Sequence, residues 1–229
     1  MNTLKDKEAH FIGALFDLDG TLLDTETQYT HFWGKTCQRY RPDVPHLEVT
    51  IKGQTLKQIL STYFPTPAIQ QEICEALNRY EREMQYEWTP GALAFLDALR
   101  SHGVQCAVVT SSNREKMAAG RAHIPAFDTL FQQVLSSEDF TASKPDPSCY
   151  RLGAAKFHAS VEECVVFEDA PAGLRAGLAS GCLTVGLTTT HPAAVVTPLA
   201  HYTVPHLAAL SYEQVCHWLT LPRPERSWS

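Results

Sequence analysis

Apolar runs that stop on carboxylates constrain this chain more than any other feature. Phe11-Ile12-Gly13-Ala14-Leu15-Phe16 runs straight into Asp17-Leu18-Asp19-Gly20-Thr21, and Cys164-Val165-Val166-Phe167 runs into Glu168-Asp169. A short continuous apolar run without alternation reads as a strand buried on both faces, the kind that builds a parallel sheet. In such sheets ligands bind outside the carboxyl ends of the strands. The D-x-D-G-T turn therefore sets two acids and a hydroxyl at a site mouth, with Gly20 where the backbone must turn.

The rest of the chain supports that frame. Residues 1–10 read as a frayed lead-in. Between about 25 and 88 no strand is evident, and apolar positions recur at helical spacing: Phe32, Cys37 and Tyr40; Leu56, Ile59, Leu60 and Tyr63; Ile69, Ile73, Leu77 and Tyr80. Pro42, Pro45, Pro65 and Pro67 punctuate these pieces. At Thr89-Pro90-Gly91 the alternation of helix and strand resumes. A helix through Leu93, Leu96 and Leu99 ends at Gly103, and a strand in VQCAVVTSSN (104–113) follows. After it come a polar helix over 114–122 and a connector with a short strand over 127–135. A helix over 148–158, a strand over 163–169 and a small-residue helix from Pro171 to Ser180 continue the pattern. Strands at Leu183–Leu187 and Tyr202–Val204, a last helix over 207–220 and a Pro/Arg-rich tail complete it. The pattern predicts an α/β protein with a parallel sheet covered on both faces. The core domain would comprise 1–24 and 89–229, and an inserted all-helical domain at 25–88 would hang over the carboxyl edge.

Composition narrows the function classes. The chain has 229 residues, 44% hydrophobic and 19% charged, with a net charge of −6. That balance argues against a nucleic-acid surface, which would show a basic patch. No run approaches the roughly 20 apolar residues of a membrane span, and the N-terminus lacks the apolar core of a signal peptide. Seven scattered cysteines form no C-x-x-C pair, and several sit in apolar strands, as in QCAVVT and ECVVFE; they read as core residues in a reducing, cytoplasmic compartment. A monomer is the expected state.

Four groups carry chemistry: Asp17 with Asp19, Thr110-Ser111-Ser112, Lys144, and Glu168-Asp169. Each alone has a bland reading. Acids and hydroxyls after strands commonly cap helices, and a lysine before a proline is usually solvated. Four such groups after successive strands instead assemble a nucleophile, an acid/base, hydroxyl donors, a cation and metal ligands along one sheet edge.

FDLDGTLLDTE, VVTSS, SKPDP and FEDAPAG, in that order over about residues 11–205, resemble the four motifs of the haloacid dehalogenase superfamily. The likeness is to its helical-cap branch of phosphatases and β-phosphoglucomutase-like proteins. The resemblance implies a Rossmann-like doubly wound core with a helical cap. It makes Asp17 the nucleophile that forms an aspartyl-phosphate, and Asp19 the group that protonates the leaving oxygen and deprotonates water. Dehalogenases of the superfamily lack the second Asp, so phosphoryl transfer is implied. Mg²⁺ would be held by Asp17, Asp169 and the Asp19 carbonyl, with Glu168 as an outer or additional ligand. Lys144 would neutralise nucleophile and phosphoryl group, Thr110 and Ser111 would cradle phosphate oxygens, Gly20 would allow close approach, and Asp24 would brace the turn.

The cap decides between hydrolase and mutase. IKGQTLKQIL (51–60) is similar to the specificity segment of β-phosphoglucomutases, but Leu56 stands where they carry an arginine. Without that guanidinium a second phosphate loses a clamp. Tyr29 occupies the place of a mutase histidine, and His31 reads as a surface residue. The expectation is therefore a phosphatase acting on a small phosphate ester, a sugar or polyol phosphate above all, with the mutase as alternative. Lys52 and Gln54, beside Gly53, are the expected substrate contacts. The aromatics Tyr29, Phe32, Trp33, Tyr63 and Phe64 read mainly as cap core. A non-catalytic binding protein on the same fold would need a missing catalytic position, and none is missing. A phosphorylated receiver domain is disfavoured by the insert and by Asp19.

Overall fold

A computed structural model describes residues 10–224. The lead-in expected at 1–10 and the end of the tail lie outside the described residues, except for His10.

In chain order the elements are β1 (Gly13–Phe16), α1 (Glu26–Tyr40), α2 (Leu47–Thr50), α3 (Leu56–Tyr63), α4 (Pro67–Glu83), α5 (Ala92–Ser101), β2 (Gln105–Val109), α6 (Arg114–His123), α7 (Phe127–Leu130), β3 (Gln133–Leu135), α8 (Ser148–Lys156), β4 (Cys164–Glu168), α9 (Pro171–Ser180), β5 (Leu183–Leu187), α10 (Ala193–Val196), β6 (Tyr202–Val204) and α11 (Tyr212–Thr220). Most expected elements stand within a few residues of their places. The last helix does not: residues 207–209 form a separate 3₁₀ turn, and α11 starts only after Ser211, whose side chain accepts the Gln214 N–H at 3.2 Å. The short α2 is also additional; it enters through left-handed His46 (φ 56°).

The six strands form one parallel sheet in the order β3-β2-β1-β4-β5-β6. β1 is central, pairing Phe16 with Val108 on one side and with Phe167 on the other. From β1 the chain builds outward to β3, then crosses back to β4. The strand order thus reverses at β1, and a crevice opens at its carboxyl end.

Side chains alternate between two cores. Ala14, Phe16, Cys106, Val108, Val165 and Phe167 face one side, under Phe95, Leu96 and Leu99 of α5 and Val215 of α11. Leu15, Ala107, Val109 and Val166 face the other, under Tyr150 and Ala154 of α8 and Ala176 of α9. The result is a three-layer Rossmann-like α/β core. Phe16 stacks on Phe167 at 4.7 Å between centroids, and Phe95 meets Phe167 edge-on at 5.3 Å.

Helices α1 to α4 are inserted between β1 and α5 and bury a cluster of their own, including Phe32, Trp33, Leu47, Ile59, Ile73 and Leu77. The chain leaves and returns along one short ribbon. Leu23 bridges Trp88 antiparallel, the Asp24 N–H donates to Glu87 O at 2.8 Å, and the Thr89 N–H donates to Leu22 O at 2.9 Å. It is the backbone of Asp24, not its exposed side chain, that engages this ribbon. The insert also touches the core directly: Ser111 Oγ donates to Gly53 O at 3.3 Å, and Thr55 Oγ1 lies 3.2 Å from Ser143 Oγ.

All seven cysteines are free, six of them buried. Burial pushes the Cys106 and Cys164 thiols up to about 12, so they behave as small apolar residues. Phe167→Ala removes the centre of the aromatic stack and should cost about 3–5 kcal/mol of stability, read as a lower urea midpoint at unchanged slope.

Candidate active site

The site begins where β1 ends. The Asp17 N–H donates to Phe167 O at 3.0 Å, so the central strand pairing continues into the carboxylate. Gly20 turns the chain at φ 79°, and a Cβ there would fall 2.4 Å from Asp169 Oδ2 and 2.5 Å from Thr190 Cγ2. Only glycine accepts both that conformation and that approach.

Lys144 is buried and all three of its ammonium protons are used. They go to Asp17 Oδ1 at 2.6 Å, Glu168 Oε1 at 2.9 Å and Val109 O at 3.0 Å. Burial works against its charge, but Asp17 and Glu168 hold the ammonium well above the usual lysine range. Lys144 faces Asp17 and is buried, unlike a solvated loop lysine.

Glu168 is fully committed. Oε1 also accepts from Tyr150 Oη at 3.3 Å, and Oε2 accepts the N–H groups of Asp169 and Ala170, both at 2.7 Å. It lies flat against α9, where a Cβ on Gly173 would come within 1.5 Å of Oε1. The small residues of α9 make room for it. Asp169 accepts Thr21 Oγ1 at 2.7 Å and Thr190 Oγ1 at 2.5 Å.

Oxygens of Asp17, Glu168 and Asp169 lie within 4.8 Å of one another, all buried. Burial first, then the neighbouring Glu168 charge, drive the Asp169 carboxyl well above its ordinary range. Burial likewise pushes Asp17 up to about 7, against the pull of Lys144. One lysine cannot neutralise three buried carboxylates. Hard oxygen donors with excess negative charge are what a divalent cation such as Mg²⁺ takes, so the residues fit a metal. Because Glu168 has no oxygen to spare, the fit falls on Asp17 and Asp169, with Glu168 behind them.

Asp19 is held differently. Its carboxylate pairs with Lys116 and accepts hydrogen bonds from Thr25 Oγ1 and, at 3.0 Å, from Ser112 Oγ. Burial alone would raise this carboxyl, yet Lys116 and the two hydroxyls keep it below its usual value. Two carboxylates two residues apart are thus pushed in opposite directions, as sites with divided acid/base roles require.

The family model described as haloacid dehalogenase-like hydrolase matches residues 14–187. The chain belongs to the haloacid dehalogenase-like hydrolase family. Among relatives of this family, hexitol phosphatase A of Escherichia coli (strain K12) is 33% identical over 179 residues, covering 74% of this chain and 80% of that protein. Validoxylamine A 7'-phosphate phosphatase of Streptomyces hygroscopicus subsp. limoneus is 31% identical over 188 residues, covering 79% and 87%. The crystal structure of β-phosphoglucomutase from Clostridium difficile superposes with a TM-score of 0.75 at 18% identity, covering 91% of this chain and 97% of that one. That likeness shows the shared fold. The family match and the named relatives make this chain a phosphatase enzyme.

In this haloacid dehalogenase-like phosphatase the acids open onto a cleft of about 900 Å³, measured out to solvent, between sheet edge and helical insert. Of the residues expected at the site, Asp17, Asp19, Thr110, Ser111, Lys144, Glu168 and Asp169 all line it, as do Lys52 and Gln54 from the insert. The last two are already engaged: Lys52 Nζ lies 3.0 Å from Glu26 Oε2, and Gln54 Nε2 donates to Thr50 O at 3.0 Å. Gly20 sits behind the acids. Among the cap aromatics Tyr29 and Trp33 line the cleft, while Phe32 and Phe64 are buried in the insert's own core and His31 is exposed.

Ser112 and Thr21, from the hydroxyl cluster and the D-x-D-G-T turn, bond Asp19 and Asp169 respectively, whereas Lys116, Thr25, Thr190 and Tyr150 were not among the expected site residues. Lys116 had a local signal. Asn113 caps α6 by accepting the Lys116 N–H at 2.8 Å, so α6 starts beside the acids and its third residue faces them. Lys116 Nζ also lies 4.1 Å over the Tyr29 ring. Lys116→Met should reduce turnover of an aryl phosphate by on the order of a hundredfold, at the lower end of the range for general acid–base groups, without unfolding the protein. Steady-state kinetics beside a circular dichroism melt checks this; unchanged turnover would make the pair architectural.

Proposed function

We propose that this chain is a Mg²⁺-dependent phosphomonoester hydrolase that works through an aspartyl-phosphate on a small sugar or polyol phosphate. The observation that carries the reading is Asp17, held by buried Lys144 and facing Asp169, at the floor of a cleft roofed by the helical insert. In this reading residues 25–88 form the cap domain, and 1–24 with 89–229 form the core domain.

The phosphate docks against Asp17 with Thr110 and Ser111 beside it, and Lys144 offsets the crowding of negative charge. Asp17 supplies the attacking oxygen: its bond to phosphorus forms as the bond to the leaving oxygen breaks, and that oxygen takes a proton from Asp19. Asp19 then accepts a proton from water, whose oxygen attacks phosphorus. The acyl-phosphate bond breaks, inorganic phosphate leaves and Asp17 is restored. Held ionised by Lys116, Asp19 has here the form that accepts the proton; the donating form carries one proton more. Asp17 and Asp169, with the Asp19 carbonyl, would hold Mg²⁺, and Glu168 would fix the turn behind them. When bound, the metal screens the repulsion between an anionic nucleophile and an anionic phosphate.

The sugar or polyol class is supported by relatives named for such substrates, among them hexitol phosphatase A and glycerol-1-phosphate phosphohydrolase 2 of Saccharomyces cerevisiae, 28% identical over 194 residues. Hydrolysis rather than mutase transfer is supported by Leu56, which offers no charge to a second phosphate. The seven free cysteines support work in a reducing, cytoplasmic setting; a monomer is the expected state.

Asp17→Asn should lower phosphate release from an aryl phosphate by a factor of about 10⁴ or more, since the amide is a poor nucleophile. Wild-type release should stop with chelator and return with Mg²⁺. Retained activity in the variant sinks the nucleophile assignment, and indifference to chelator sinks the metal. With glucose 1-phosphate and its bisphosphate activator, phosphate release without isomerisation is expected; glucose 6-phosphate as the main product would favour the mutase.

A further inference from the structure

The cap half of the cleft carries a charge pattern that the hydrolytic chemistry does not use. Seven carboxylates line the cleft against three lysines. Each lysine is already spent within the wall: Lys144 on Asp17 and Glu168, Lys116 on Asp19, Lys52 on Glu26. Even a bound divalent cation leaves an excess of negative charge, and that excess lies on the cap side, where Glu48 and Glu81 face the cleft. Glu81 is buried on α4, and Tyr29 Oη donates to Oε1 at 2.9 Å, a neutral partner for one of its two oxygens. Among the described residues Glu48 pairs with highly exposed His46, at 3.7 Å.

Hydrogen-bonding capacity is also left open there. Among the described residues Glu26 Oε2, although 3.0 Å from Lys52 Nζ, finds no hydrogen bond of proper geometry, and buried His191 Nε2 finds no partner. Both residues line the cleft. Trp33, Ile51 and Leu56 supply its apolar surface. A wall of this kind welcomes hydroxyls and ammonium groups and repels anions through a poorly screened medium.

We propose that the cap wall formed by Glu81 and Glu48 makes this phosphatase selective for monophosphates whose leaving group is neutral or cationic, and that it excludes those bearing a second anionic group. The proposal rests on the phosphatase reading and narrows its substrate class to polyhydroxy or aminated leaving groups. Sugar bisphosphates, phosphorylated sugar acids and nucleoside polyphosphates fall outside it.

The test uses three hexitol 6-phosphates that differ only at C1: the hydroxymethyl compound (sorbitol 6-phosphate), the carboxylate (6-phosphogluconate) and the aminomethyl compound. Each is measured as a competitor of p-nitrophenyl phosphate hydrolysis by the full chain with Mg²⁺, so that a binding constant results whether or not the competitor is turned over. The carboxylate should bind at least about tenfold more weakly than sorbitol 6-phosphate, that is by about 1.4 kcal/mol. The aminomethyl compound should bind as tightly as sorbitol 6-phosphate or more so. Glu81→Gln keeps an acceptor for Tyr29 Oη and removes the charge; with Glu48→Gln it should narrow the carboxylate penalty by about threefold or more. Equal inhibition by the three in the wild type, no inhibition by any, or an unchanged penalty in the double variant overturns the proposal. Absence of p-nitrophenyl phosphate hydrolysis falls instead on the phosphatase reading.

Discussion

The buried ammonium of Lys144 is the interaction on which the rest of the site depends. Three acceptors from three strand ends converge on it: Asp17 after β1, Val109 at the end of β2 and Glu168 at the end of β4. Without that cation, Asp17 and Glu168 would be two like charges facing each other out of water, an arrangement that costs several kcal/mol per uncompensated ion. With it, the carboxyl ends of the central strands are drawn to one point, and Glu168 is free to lie against α9 and fix the turn that carries Asp169. The parallel sheet delivers these groups to one edge, and Lys144 makes their proximity tolerable.

The two acids of the D-x-D turn share a backbone but not an environment. Asp17 looks into the sheet, toward Lys144 and the other carboxylates, and its anion is strained by burial. Asp19 looks toward the insert, where Lys116, Thr25 and Ser112 satisfy it. Thr25 enters from the start of the insert, while Ser112 and Lys116 come from the loop after β2 and the first turn of α6. The environment of Asp19 is therefore assembled jointly by the insert and the core, whereas that of Asp17 belongs to the core alone.

That division also explains what was legible in the sequence. β1, β4, β5 and the pair Asp17/Asp19 could be read because a strand buried on both faces leaves an uninterrupted apolar run, and its end marks the site edge. α9 was legible from its proline start and its glycine stop at Gly181 (φ 96°). The break before α11 was not, since Leu207, Leu210 and Val215 continue an apolar pattern across a chain that unwinds between them. Lys116 read as one more charge on a polar helix; the Asn113 cap sets it beside the acids, but its place under the Tyr29 ring is a tertiary event with no local periodicity. Lys52 was expected to meet substrate and reaches the cleft, but the nearness of Glu26, 26 residues away in sequence, decides where its charge goes. Strand-end residues follow from the fold class, whereas residues set by how the insert docks do not.

The ribbon that joins insert to core has a mechanical consequence. Thr89 Oγ1 donates to Thr21 O at 2.6 Å, and Thr21 Oγ1 donates to Asp169 Oδ1 at 2.7 Å. One buried threonine thus ties the returning linker to a carboxylate on the floor of the cleft. A roof hung on such a ribbon has its fulcrum beside the acids rather than out at the rim. Tilting moves the far helices through the longest arc, while the residues nearest Asp169 stay almost still. Any widening of the entry by such a tilt would leave the spacing of the groups beneath it nearly unchanged.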